Sequence, residues 1–279
     1  MIPGRKIRQG SRVRLDVKLV VLAAGCALAL VLAGCSQSSE TRAAARAPAG
    51  STYTLMQMNL CLSGLAGCYG KVAYPAVVEE AMARIRAAHP DSVTLNEACE
   101  GDVALIAKRT GYHPRFSKVI YGGKRLPCIG PGGRGLFGDA VLTKAAVVST
   151  ESRPFEAQAD IERREWLCVT TRVDIDVCTA HLATRDTDEV SANDPQCAEL
   201  RALLARRAAA RTVIFGGDVN RSSSCAPRGF WTRTDGSAGQ DPGSQQVYGA
   251  GALRSPSAEV LPAMHTDHDI LLIRAYRDN

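Results

Sequence analysis

Val213-Ile214-Phe215-Gly216-Gly217-Asp218-Val219-Asn220 is the stretch on which the reading of the whole chain turns. Its three apolar residues, two of them β-branched, predict a buried strand that runs out into two glycines, a carboxylate and a carboxamide. Asp218 and Asn220 stand two apart, so an extended backbone points both to one side, while the glycines are expected to let substrate come close. A bare Gly-Asp-x-Asn is also what a turn looks like, because Gly, Asp and Asn dominate turns. Four other stretches share the pattern, however: Met58-Asn59, Leu95-Asn96-Glu97, Thr179-Ala180-His181 and Thr266-Asp267-His268. Each lies where a strand-like run begins or ends, and there rigid backbone meets an open cleft. Carboxylates, carboxamides and imidazoles gathered in this way suit a metal-dependent hydrolase on a β scaffold.

Outward from these points the pattern alternates. Residues 52–60 and 91–95 are β-branched or apolar runs, and between them 76–89 place Val77, Val78, Ala81, Met82 and Ile85 on one helical face. That helix is expected to stop at His89-Pro90, since proline disfavours helical geometry in the residue before it. A second helix is expected over 101–110, closed by Gly111. Residues 122–138 hold seven glycines and two prolines and read as a mobile loop. Strands follow at 140–142 and 145–149, a hairpin at 166–173 and 176–182, and a helix at 198–211 with Leu200, Leu203 and Leu204 inward. Residues 221–245 read as a long surface loop, and 257–261 and 270–275 supply the last strands. Strands with helices recurring between them favour a layered α/β domain, and no internal repeat is evident.

The first 34 residues stand apart. Six Arg and Lys residues precede the apolar run 19–33, the form of a secretion signal, and Leu32-Ala33-Gly34-Cys35 resembles the bacterial lipobox, with lipid carried on Cys35. Fifteen apolar residues are short for a span of roughly 20. The expected organisation is a signal peptide at 1–34, lipidated Cys35 with a flexible tether to 51, and one catalytic domain at 52–279. The leader carries six of the 34 basic and one of the 28 acidic residues, leaving 28 against 27. The net charge of +6 therefore falls to +1 in the mature chain and gives no footprint for a nucleic-acid partner. Eight cysteines remain beyond Cys26 and Cys35, and an even count outside the cytoplasm points to disulfides. Proximity suggests Cys61 with Cys68, Cys168 with Cys178 and Cys197 with Cys225, leaving Cys99 for Cys128. No CxxC pair or close Cys/His group indicates zinc.

Taken in order, the motifs resemble those of the endonuclease/exonuclease/phosphatase superfamily, the deoxyribonuclease I-like fold. Asn59, Asn96-Glu97, Ala180-His181-Leu182, Gly217-Asp218-Val219-Asn220 and Thr266-Asp267-His268 match its successive motifs, and 138–143 match its Gly-Asn-Ala-x-Leu-Ser segment. The resemblance implies a four-layer α/β/β/α sandwich with two packed mixed β-sheets. It implies Mg²⁺ or Mn²⁺ at Glu97, Asn59 and Asp267, whose oxygen donors suit such hard ions. Asp218 would orient or deprotonate the attacking water, Asn220 would bind the phosphate, and His181 and His268 would stabilise the transition state. His89, His113 and His265 are read as non-catalytic.

Three positions depart from the family pattern. Asn96 stands where Gln is usual. Asp139 replaces Asn and brings a negative charge, placing it with Arg134 as a substrate-binding candidate. Gln245 stands where an Asp normally supports the last His, so activity is expected either to be reduced or to be supported by Asp235 or Asp241 from the loop. The implied activity is phosphodiester hydrolysis by a monomer anchored outside the cytoplasm to a bacterial membrane, with nucleic acid the expected substrate. Lys118, Lys124, Arg125 and Arg134 would form a phosphate-binding rim. The alternatives are a phospholipase C or sphingomyelinase-like hydrolase, or a degenerate member that binds without turnover.

Overall fold

The structure is a computed structural model, and it describes residues 50–65, 67–185, 190–236 and 243–278. The leader, Cys35, nearly all of the tether and Asp241 lie outside the described residues. The chain begins with β1 (Thr52–Asn59), α1 (Ala76–Ala88), β2 (Ser92–Cys99) and α2 (Glu100–Thr110). It continues through β3 (His113–Lys118), β4 (Ile120–Tyr121), β5 (Lys124–Arg125), β6 (Phe137–Thr143) and β7 (Val147–Pro154). Next come β8 (Glu162–Arg163), β9 (Glu165–Thr171), β10 (Ile175–Ala180), α3 (Val190–Ala208) and β11 (Thr212–Asp218). Strands β12 (Trp231–Thr234), β13 (Gln245–Ala250), β14 (Leu253–Leu261) and β15 (Ile270–Arg277) complete it.

Two six-stranded sheets carry the fold, in the orders β14-β15-β1-β2-β6-β3 and β12-β13-β11-β10-β9-β7. Each is mixed, because β1 runs parallel to β2 and β10 parallel to β11 while their other neighbours are antiparallel. Leu55, Val141, Val177, Ile214 and Ile273 interlock between the sheets. On the outer face of the first sheet α1 and α2 bury Val77, Val78, Ile85, Val103 and Ile106, and on the outer face of the second α3 buries Leu200, Leu203 and Leu204. The result is the four-layer sandwich expected. Helix α1 ends as the sequence indicated, with His89 in the left-handed region before Pro90, and Gly111 closes α2 in the same conformation. All four disulfides form: Cys61–Cys68, Cys99–Cys128, Cys168–Cys178 and Cys197–Cys225.

Three expectations are corrected. Residues 122–138 are not simply an open loop: they contain β5 and the start of β6, the Cys128 cross-link and the buried Arg134. Residues 221–245 contain edge strand β12 and buried Cys225, both held to the second sheet. Helix α3 begins at Val190 rather than 198, carrying Pro195 inside it. Its first turns are tied to the strand ends, because Asn193 donates to the carbonyls of Ala183 and Val219 and Gln196 accepts from the Ala183 amide. No helix among the described residues is long and apolar enough to cross a membrane.

Candidate active site

Register brings the motifs to one edge. Asn59 at the end of β1 is paired with Asn96 on parallel β2, and His181, just past the end of β10, bridges to Asp218, the last residue of parallel β11. The two sheets meet here through Asn96. Its Oδ1 accepts from Gln57 Nε2 at 2.7 Å and from the Asp218 amide at 2.8 Å, and its Nδ2 donates to Asp139 Oδ1 at 2.9 Å. The glycines of the opening stretch serve the same junction. A Cβ on Gly216 would lie 2.4 Å from Thr94 Oγ1, and one on Gly217 would lie 2.3 Å from the Ala180 carbonyl. Their small size therefore admits neighbouring protein rather than substrate.

Above this junction Asn59 Nδ2 donates to both Glu97 Oε1 at 2.9 Å and Asp218 Oδ2 at 3.0 Å. Glu97 takes a positive φ of 53°, which turns it off the line of β2 into the cleft. His268 Nε2 lies 3.7 Å from Asp218 Oδ2 and 4.0 Å from Asp267 Oδ1, and His181 Nε2 lies 3.9 Å from Glu97 Oε1. Asn220, also at positive φ, offers Nδ2 to the Leu182 carbonyl at 2.7 Å and lies 3.0 Å from His181 Nε2. Its amide thereby fixes the imidazole.

Burial sets the charges. Loss of water pushes the Glu97 carboxyl up to about 7, against the pull of the Asn59 hydrogen bond and the Arg164 charge. Burial lowers His181, and the charges of Arg164 and His268 push it the same way, so the imidazole is held neutral. These groups line a cleft of about 530 Å³ that also takes in Arg164, Glu162, Thr184, Tyr121, Phe137 and Leu65. The architecture, the strand-end placement and the motif order select one family. The Endonuclease/Exonuclease/phosphatase family model matches residues 68–268.

The chain belongs to the endonuclease/exonuclease/phosphatase family. Members of this family are hydrolases acting on phosphoester bonds and generally use divalent metal ions, commonly Mg²⁺. An endonuclease/exonuclease/phosphatase protein from Beutenbergia cavernae is similar over 82% of this chain and 72% of its own, at 20% identity and a TM-score of 0.62. The human Nocturnin catalytic domain, solved with a bound sulfate, is similar over 81% and 93%, at 17% identity and a TM-score of 0.60. TDP2 of D. rerio, solved with a single-strand DNA product, covers 82% and 100%, at 14% identity and a TM-score of 0.56. Likeness at these identities shows the fold. No curated protein sequence matches the chain.

Glu97, His181, Asp218, Asn220, Asp267 and His268 come together in one cleft. Other expected family site residues do not face it as anticipated. Asn59 Oδ1 accepts from the Cys61 amide, so the side chain turns its nitrogen to the carboxylates and organises them instead of offering a metal donor. Arg134 is corrected outright. It is 6% exposed, paired with Asp102 at 2.7 Å and bonded to the Leu62, Gly130 and Pro131 carbonyls, which makes it an anchor for its loop and removes it from any rim. Asp139 likewise lies beneath the cleft on Asn96, and burial pushes its carboxyl to about 7, so the extra charge is muted at neutral pH.

Gln245 is committed to Gln57 and the Asp269 carbonyl. Asp235 instead supplies the neighbouring carboxylate: it is buried, accepts from the Gly243 amide and interacts electrostatically with both His268 and Asp218, its carboxyl pushed to about 6 by burial. Sequence reasoning missed Arg164, which is 7% exposed, donates to the Leu182 carbonyl at 2.6 Å and faces Glu97 electrostatically. Period-two alternation through Glu162-Arg163-Arg164, just before the Trp166 strand, was the signal available. His89, His113 and His265 do not line the cleft.

Proposed function

We propose that this protein is a divalent-metal-dependent phosphodiester hydrolase acting on nucleic acid, anchored by lipid on Cys35 outside the cytoplasm. The observation that carries the reading is the convergence of Glu97, Asp218, Asp267, His181 and His268 from both sheets on one cleft beside a buried arginine. The donor chemistry fits the family's metal. Mg²⁺ is held by one or two carboxylates with water and substrate phosphate filling its shell, and burial disfavours the Glu97 carboxylate unless a cation stands beside it. The one compact group of three potential ligand residues among the described residues, Cys61, Cys68 and Asp267, has both thiols in a disulfide.

Glu97 and Asp267 would hold the ion, which when bound supplies Lewis-acid stabilisation of phosphoryl charge. The remaining work belongs to side chains. Asp218, fixed by Asn59, orients the attacking water, and His268 beside it shares the proton. Neutral His181, set by Asn220, and the Arg164 guanidinium face the phosphate and stabilise its charge as the bond breaks. Nocturnin's sulfate and the DNA product on TDP2 support an anion site and a nucleic-acid substrate. Four disulfides support an oxidising compartment.

The test is turnover by the purified protein with Mg²⁺ or Mn²⁺ of single-stranded DNA, RNA, phosphatidylcholine and sphingomyelin. Release of nucleotides with metal and none with chelator is the expected result. Hydrolysis of the lipids alone would replace the substrate, and no turnover of any ester would overturn the enzyme.

A further inference from the structure

One side of the cleft is not polar. Strand β4 pairs with β8 so that Tyr121 lies directly across from Glu162, and alternation along the chain brings Glu162 and Arg164 to the same cleft while Arg163 faces away. Leu126 and Phe137 continue this wall, linked by the Phe137 amide donating to the Leu126 carbonyl. Leu65 stands on the rim as well. Tyr121 is 47% exposed and Leu65 57%, so large apolar surface is presented to solvent inside a catalytic cleft.

Both rims are built to hold that position. The Cys61–Cys68 link closes the segment bearing Leu65, and the Cys99–Cys128 link ties the glycine-rich excursion to the end of β2. The two segments bond to each other, the Ile129 amide donating to the Ser63 carbonyl and Arg134 to the Leu62 carbonyl. Charge limits what enters. Among the described lining residues Arg164 is the sole Arg or Lys, and its Nη2 already pairs with Glu162 Oε2 at 3.2 Å, which leaves it for one phosphate at most and not for the row of phosphates along a duplex. A volume of about 530 Å³ suits a ligand of small-molecule size.

We propose that the Tyr121 wall is a base-stacking subsite, which seats one nucleobase of a nucleotide phosphoester whose phosphate lies against Arg164. The subsite deepens the nucleic-acid reading: it selects a free end or an unpaired nucleotide over the backbone of a double helix. A base has a flat π-face that an exposed tyrosine accepts with little sequence preference. A lipid tail would use the same apolar area without needing the ring.

Calorimetric titration of the full-length protein with Mg²⁺ tests it, using inorganic phosphate, hexyl phosphate and adenosine 5′-monophosphate. The nucleotide is expected to bind at least about tenfold more tightly than either of the others, Tyr121→Ala to lose about tenfold of that advantage, and Tyr121→Phe to keep it. Thermal melts of both variants check that they fold. Equal affinity for nucleotide and phosphate, hexyl phosphate matching the nucleotide, or an advantage that survives Tyr121→Ala would each overturn the subsite. These ratios do not depend on turnover, so loss of the hydrolase reading in the ester panel registers separately.

Discussion

Replacing Arg134 by methionine separates an anchoring role from a substrate-binding one. Arg134 and Asp102 are 6% and 4% exposed, and removing one partner leaves a buried carboxylate uncompensated, which costs about 3–5 kcal/mol. Burial already raises the Asp102 carboxyl, and the Arg134 charge and hydrogen bond are what hold it down. The guanidinium also lies 4.5 Å above the Tyr74 ring, a contact worth about 0.5–2 kcal/mol that methionine recovers in part through packing. These contributions share one side chain and do not add, so a net loss of about 4 kcal/mol is expected. At about 2–4 °C per kcal/mol for a domain of this size, the melting midpoint falls by about 8–16 °C.

Urea unfolding with the disulfides intact measures the loss, and Asp102→Asn in the Arg134→Met background is expected to restore about 1–2 kcal/mol by removing the orphaned charge. KM for a phosphodiester, measured well below the midpoint, is expected to stay within about threefold, because Arg134 does not line the cleft. A variant that melts with the wild type but shows a large rise in KM would refute the argument and return Arg134 to the substrate.

The metal-free protein is expected to have an inverted pH dependence. Carboxyls raised in the folded state, Glu97 and Asp139 to about 7 and Asp235 to about 6, favour folding below their unfolded values and withdraw that support as pH rises through the folded ones. Melts in chelator should therefore weaken from about pH 5 to 8, Mg²⁺ should restore the alkaline side and Glu97→Gln should flatten the curve; a metal-free profile that rises across this range would contradict it. Asp235→Asn is expected to lower kcat by about ten- to a hundredfold and to shift the acidic limb of the rate profile through His268, and an unchanged profile would show that Asp235 does not support that imidazole. In Gly217→Ala the new Cβ would press on the Ala180 carbonyl at the strand junction, so a loss of about 1–3 kcal/mol and of most activity is expected, measured by urea unfolding and ester turnover.

How much could be read in advance follows from how local each signal is. Helix α1 and its end at His89 depend on apolar spacing and one proline, both visible within a few residues. The strand-end motifs were legible because residue type and order sufficed. Arg134 was not, since glycine and proline around it describe a loop, while its partner Asp102 lies 32 residues away and is brought close only by folding. Asn59 shows a finer limit. Its identity was read correctly, but which end of the amide meets Glu97 is decided by the Cys61 amide claiming its oxygen. Arg164 carried only the faint alternation signal, because what aims it at the cleft is its bond to the Leu182 carbonyl and the pairing of its backbone with Gln158, neither of which its neighbours in sequence announce.

Two of the three altered family positions, Asn96 and Asp139, are better understood together than apart. Where apolar side chains join the sheets elsewhere, the site end uses a chain in which Thr94 donates to Gln57, Gln57 to Asn96 and Asn96 to Asp139, while the Asp218 amide donates to Asn96. Asn96 Oδ1 thereby takes two donors, and its Nδ2 requires an acceptor that carboxyl oxygen at 139 provides in either protonation state. A buried network of this sort is costly if any member is orphaned, and its geometry is correspondingly narrow. Asp218 is tied through its amide to Asn96 and through its carboxylate to Asn59 on the other sheet. The spacing between the Asp218 and Glu97 carboxylates is thus set by inter-sheet hydrogen bonds, not by the loops that line the cleft.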